Sequence, residues 1–197
     1  MAITKLKALG VTANAITASQ IANNTITNTQ INSSAAIAAS KLGTMATANM
    51  PAGSIVQVVT NNTSTQVANT TDGGSADLMS VTITPTSASN KVMIMITGFF
   101  GQGNPNGAVQ LVRGSTSIAE GTGSFGGASG YISYDDQMGS QYTMESHAFH
   151  FVDTPNTTSA TTYLMRTSSH TTVYFNRSRQ DSSGRSSSTI TAMEIQA

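Results

Sequence analysis

Cysteine is absent from the 197-residue chain, so neither disulfides nor thiolate metal sites hold it together. Tryptophan is absent too, and aromatic residues make up only 6%, which leaves a sugar-cleaving groove without its usual stacking platform. Charge is scarce: Asp, Glu, Lys and Arg are 9% of the chain, where roughly 25% is ordinary for a soluble domain. Nine basic residues balance nine acidic ones. That balance argues against a general nucleic-acid binder, which needs a basic stripe to neutralise phosphates. It also removes the polybasic route to an anionic membrane surface. No apolar run approaches the roughly 18 residues of a spanning helix, and the N-terminus lacks the continuous apolar core of a signal peptide. Membrane insertion is not expected.

The missing charge is replaced by 26 Ser, 30 Thr and 14 Asn, over a third of the chain. Hydrophobic residues still reach 38%, too many for a disordered chain of zero net charge. The core must come from packing alone.

Two regions differ in composition. Residues 1–50 contain no Phe, Tyr or Pro, and their charges are Lys5, Lys7 and Lys41. Residues 51–197 hold all four prolines, every aromatic residue and every acid. The change falls at Met50-Pro51-Ala52-Gly53, which reads as a turn or linker and predicts a boundary between 1–50 and 51–197.

The first region repeats. Ile16-Thr17-Ala18-Ser19-Gln20-Ile21 recurs ten residues later as Ile26-Thr27-Asn28-Thr29-Gln30-Ile31, and a degenerate copy follows as Ile37-Ala38-Ala39-Ser40-Lys41-Leu42. The aliphatics Ile16, Ile21, Ile26, Ile31, Ile37 and Leu42 stand in steps of five or six, matching neither the helix period of 3.6 nor the strand period of 2. Thr17 with Gln20, and Thr27 with Gln30, have capping-box spacing, and the flanking isoleucines sit at hydrophobic-staple positions. Each unit therefore reads as one capped helical turn followed by a short extended or turn segment such as 22–25. Two aliphatics per ten residues cannot enclose a core within one chain. The expectation is a stalk in which these six residues are covered by symmetry-related copies.

The second region reads as all-β. Candidate strands are 54–60, 79–84, 91–100, 108–113, 116–120, 130–134, 144–152, 161–167, 171–176 and 189–195, β-branched and aromatic segments separated by Gly, Asn, Ser and Pro. Their spacing of roughly 8–12 residues is that of a sandwich. Val92, Ile94 and Ile96 alternate with Met93, Met95 and Thr97, so this strand is expected to be covered on both faces. The segment 189–195 alternates only in part, as near a sheet edge or a subunit contact.

These features carry a resemblance. The I-T-x-x-Q-I decads at 16–21 and 26–31, with the variant at 37–42, resemble the N-terminal repeats of bacteriophage tail-fibre and virion-fibre proteins. Residues 53–59, 83–92, 111–115 and 187–195 are similar to C-terminal domains of the same kind of phage structural protein. The resemblance implies a jelly-roll-like β-sandwich head, similar to tumour-necrosis-factor-like trimers, on an extended repeat stalk with short helical turns. It implies a homotrimer in the virion, assembled in the host cytoplasm and attached to other virion proteins through residues 1–50. Tail fibre, head fibre and capsid decoration all use such modules. The alternative is a fibre tip that binds a host-surface glycan or protein receptor.

Four constellations could carry chemistry. Asp135, Asp136, Glu145, His147, His150 and Asp153 form the densest ionisable cluster, but His147 and His150, three apart on a strand, point to opposite faces. No metal site is expected there, and no cofactor. Among 26 serines no G-x-S-x-G elbow occurs, so no catalytic residues are assigned and no enzymatic activity is expected. Residues 121–130 are glycine-rich but lack the Lys-Ser/Thr ending of a phosphate loop and read as a surface loop. Arg177, Arg179, Asp181 and Arg185 concentrate four of the chain's eighteen charges. They are a candidate partner-binding loop through guanidinium recognition of carboxylate or phosphate, or else a solvated hairpin.

Overall fold

Alternating β-branched and aromatic residues after position 54 form eleven strands among the described residues of the computed structural model. The described residues are 17, 19, 21–23, 25–27, 29–38, 45–70, 74–104, 106–120, 132–135, 140–167, 172–183 and 186–197, with backbone alone at 48, 102–104, 106–108 and 132–135. Two compact units divide the chain, Met1–Met45 and Ala46–Ala197.

In the first unit the described residues are a succession of tight turns. Thr25 N–H donates to Ala22 O at 3.2 Å, Gln30 N–H to Thr27 O at 3.0 Å, and Ala35 N–H to Asn32 O at 2.9 Å. A turn thus closes every five residues. Each is an i→i+3 turn that stops before an i→i+4 helical bond forms. Gln30 Oε1 reaches back to accept from the Thr27 N–H at 2.8 Å, the Gln half of a capping box.

The division falls five residues before the boundary expected at Pro51. Residues 51–54 are tied into the second unit: Gly53 N–H donates to Gln196 O at 2.8 Å, and Gln196 N–H to Ser54 O at 2.9 Å. Gly53 has φ +87°, a left-handed turn conformation that glycine adopts without steric cost.

The second unit is all-β, two antiparallel sheets in a sandwich. The strands are β1 (Ile55–Thr63), β2 (Val67–Asn69), β3 (Asp77–Ile83), β4 (Lys91–Asn104), β5 (Asn106–Arg113), β6 (Thr116–Ile118), β7 (Ile132–Asp135), β8 (Met144–Asp153), β9 (Thr161–Thr167), β10 (Thr172–Phe175) and β11 (Ser188–Ile195). One sheet runs β1-β11-β4-β10-β2, with β8 on the other side of β4; the second runs β3-β9-β5-β6, with β7 also on β5. Successive strands cross repeatedly between the sheets. A single core lies between them, with Val92, Ile94, Ile96, Phe100, Phe175 and Ile190 from one sheet against Ile83, Val109, Leu111, Tyr163 and Met165 from the other. Burying one such side chain contributes about 1.5–3 kcal/mol.

Two features differ from expectation. Strand β11 is no edge: it pairs with β1 on one side and β4 on the other, and its burial alternates along its whole length. Strand β4 has a buried inner row, but Met95 on its outer row is 43% exposed, so the second face is not covered within the chain.

Where β4 meets β10, Gly101 allows a close crossing. A Cβ there would stand 2.5 Å from the Arg177 carbonyl oxygen. Asn176, at φ +55° and fully buried, locks that corner. Its Nδ2 donates to Thr63 O and Thr65 O at 3.0 and 3.1 Å, and its Oδ1 accepts from Ser188 Oγ at 2.6 Å.

Candidate functional site

The isoleucines of the repeats are the first candidates. Ile21, Ile26, Ile31 and Ile37 are 38%, 52%, 43% and 49% exposed, each beside one of the tight turns. Ile16 and Leu42, the outer members of the expected series, lie outside the described residues.

An uncovered apolar surface also lies on the second unit. Register places Val58, Thr60 and Asn62 of β1 beside Met193, Thr191 and Thr189 of β11, which neighbour Met93, Met95 and Thr97 of β4, which neighbour Val152, His150 and Ala148 of β8. This is the outward face of the six-stranded sheet. Ile55, Val58, Met95 and Val152 are each 43–55% exposed. Lys91, at one end, is the one Lys, Arg, Asp or Glu among the outward residues of these four strands. The solvated face of an antiparallel sheet normally carries polar alternates; here they are uncharged Thr, Asn and His residues interspersed with Val58, Met93, Met95, Val152 and Met193.

The arginine loop is largely occupied with itself. Arg177 Nε donates to Ser178 O at 3.0 Å and Nη2 to Arg179 O at 3.3 Å, while the guanidinium lies over the Tyr174 ring at 5.5 Å. Ser178 and Asp181 are joined by two 3.0 Å bonds, Ser178 Oγ to Asp181 O and Asp181 N–H to Ser178 Oγ. Asp181 Oδ1 also accepts from Ser183 N–H at 2.7 Å. Arg177 thus shapes the turn. Arg179 is half-buried beside it, and Arg185 lies outside the described residues.

The ionisable cluster is dispersed by the sheet. His150 faces outward opposite Met95, and His147 inward opposite Gly98, with its ring edge on Phe100 at a centroid distance of 5.7 Å. Glu145 Oε2 is 3.8 Å from His147 Nε2. Asp153 stands at the far end of β8. Asp136 and the Asp135 side chain lie outside the described residues, as does the 121–130 loop. Among the described residues no group of three or more His, Asp or Glu is placed to hold a metal ion.

Asp153 has an unforeseen role. Arg113 Nη1 donates to its Oδ1 and Oδ2 at 2.8 and 2.9 Å, and the Tyr163 hydroxyl donates to Oδ2 at 2.7 Å. Burial, together with that hydrogen bond and the carboxylate's charge, pushes the Tyr163 hydroxyl well above the usual phenol range. The three residues lie on β5, β8 and β9 in two different sheets, so spacing gave no signal of their meeting.

No protein-family model matches this chain, and no curated protein matches it. Among the described residues no helix is long and apolar enough to cross a membrane.

Proposed function

We propose that this protein is a non-enzymatic structural component of a bacteriophage particle, a small fibre or decoration protein that assembles as a homotrimer and attaches through its N-terminal repeats. The observation that carries the reading is the row of exposed isoleucines at 21, 26, 31 and 37, set in steps of five or six beside turns that repeat every five residues. Exposed side chains in such register are complementary to further copies of themselves about a common axis. Closing three chains around that axis would bury the row, at about 25 cal/mol for each Å2 of apolar surface removed from water. The second unit would then be a jelly-roll-like head. Its outward sheet face, nearly free of charge, can meet another copy without like-charge repulsion, a requirement of any symmetric contact. Low charge with abundant Ser and Thr keeps such a particle surface wettable.

Sedimentation equilibrium of the full chain tests the assembly, with a trimer mass expected; a concentration-independent monomer would overturn it. Immunogold labelling of purified particles tests the location, since absence of label on intact virions would refute a virion role.

A further inference from the structure

We propose that a concavity beside Arg113 is a binding site for a carboxylate-bearing sugar or similar polyhydroxy acid, gripped by the free edge of the Arg113 guanidinium. The inference goes beyond the structural role above and does not depend on it. The concavity has a volume of about 360 Å3, within the roughly 300–1,000 Å3 of small-molecule sites. Arg113, Pro155, Thr157, Ala160, Thr161 and Thr162 line it, together with Gly114.

The guanidinium has five N–H donors. Nη1 is committed to Asp153 and lies 3.4 Å from Thr154 O. Nε and Nη2 have no partner among the described residues, and the side chain is 32% exposed. That open edge presents two parallel N–H groups, the geometry that matches a carboxylate. Asp153, 9% exposed and itself held by Tyr163, fixes the plane of the group. A buried ion pair contributes little stability by itself, but one that holds an arginine in place lowers the ordering cost of binding.

The rest of the lining selects what carries the carboxylate. Asp153 cancels the Arg113 charge and no other lining residue is charged, so a bare anion gains little from long-range attraction. The hydroxyls of Thr157 and Thr161 each make one hydrogen bond within the protein and retain capacity for another. Pro155 and Ala160 supply an apolar surface for ring C–H groups. Gly114 is at φ +61° and its N–H is bonded to Thr162 O at 2.9 Å, fixing the β5–β6 turn against β9. Asn156, at φ +53°, bends the β8–β9 loop between two lining residues.

Saturation-transfer NMR on the full chain, with glucuronate, glucose and acetate as separate probes, tests the site. Transfer to glucuronate is expected, with none to glucose or acetate at the same concentration. Arg113→Lys retains a cation for Asp153 but loses the two-pronged edge, and should weaken glucuronate binding by about tenfold or more, a loss of about 1.4 kcal/mol. Thr157→Val, which leaves the ion pair intact, should also weaken it and serves if Arg113→Lys does not fold. No transfer to glucuronate, transfer to glucose or to acetate as strong as that to glucuronate, or binding unchanged in the folded variants would overturn the proposal.

Discussion

Val58 on β1 stands directly opposite Met193 on β11, on the outward face of the six-stranded sheet, with Val58 55% exposed. Neither residue contributes to the core cluster. Because the site is open in the single chain, Val58→Asp should change protomer stability by no more than about 0.5 kcal/mol. If this face is shared between copies, the same change places three carboxylates on a dry, uncharged surface. Sedimentation should then show association weakened at least about tenfold, or about 1.4 kcal/mol. Unchanged association would exclude the face as the contact.

The repeats respond differently to two kinds of substitution. Ile26→Ala with Ile31→Ala should be nearly silent in an isolated chain, where both side chains are exposed. Covered by neighbouring copies, each truncation should cost about 2–5 kcal/mol and dissolve the stalk while the sheet circular dichroism survives. Thr27→Ala removes a hydroxyl that bonds only the exposed Thr29 and Gln30 side chains and should cost no more than about 0.5 kcal/mol per chain. If the threonine change disrupts assembly more than the double isoleucine change, the isoleucines are not the contact.

Glu194 tests whether a buried carboxylate needs its charge. It is fully buried, and its Oε1 accepts from Thr86 N–H at 2.6 Å, Thr86 Oγ1 at 2.8 Å and Asn90 Nδ2 at 2.7 Å. Its Oε2 has no partner. Glu194→Gln keeps an acceptor for the three donors and should be close to neutral in urea denaturation. Glu194→Ala leaves the buried Asn90 amide without this acceptor, at about 1–3 kcal/mol, while the exposed Thr86 donors can turn to water. Equal losses in the two variants would show that the negative charge itself is required.

Tyr163 makes stability fall at high pH. Its ionisation is pushed upward by burial first, and then by the hydrogen bond to Asp153 and that residue's charge. The unfolded chain loses this proton near pH 10, and the native state does not. The native state therefore binds more protons above pH 10, and stability falls there as pH rises. Each pH unit should cost up to about 1.4 kcal/mol from this one group. Tyr163→Phe should lower stability by about 1 kcal/mol at neutral pH, for the lost hydrogen bond, and reduce the alkaline slope by one proton. An unchanged slope would refute the assignment.

Strand positions follow closely from the sequence because they depend on local alternation. Strand β9 runs over 161–167 as the pattern predicts, and β4 and β8 begin at Lys91 and Met144 as expected. Strand β2, at Val67–Asn69, has three residues and no alternation to read. It exists because β10 offers a partner, with Tyr174 opposite Ala68. The 27–30 turn was legible for the same local reason: a threonine and a glutamine three apart can satisfy one another without any tertiary contact.

Pairing partners, and hence every candidate surface, were decided by the tertiary structure. The partial alternation of 189–195 suggested an edge or a subunit contact; hydrogen bonding to β1 and β4 excludes the edge and places β11 inside the sheet. His147 and His150 were separable by strand parity alone. That Asp153 instead meets Arg113 and Tyr163 depends on β8 and β9 lying in opposite sheets, which no spacing encodes. Arg177 looked free for a partner because charge density is visible in a sequence. Its guanidinium is turned onto Ser178, Arg179 and Tyr174 because the close approach at Gly101 folds that loop back. Local propensity is written residue by residue, whereas the meeting of distant side chains is set by sheet order and register.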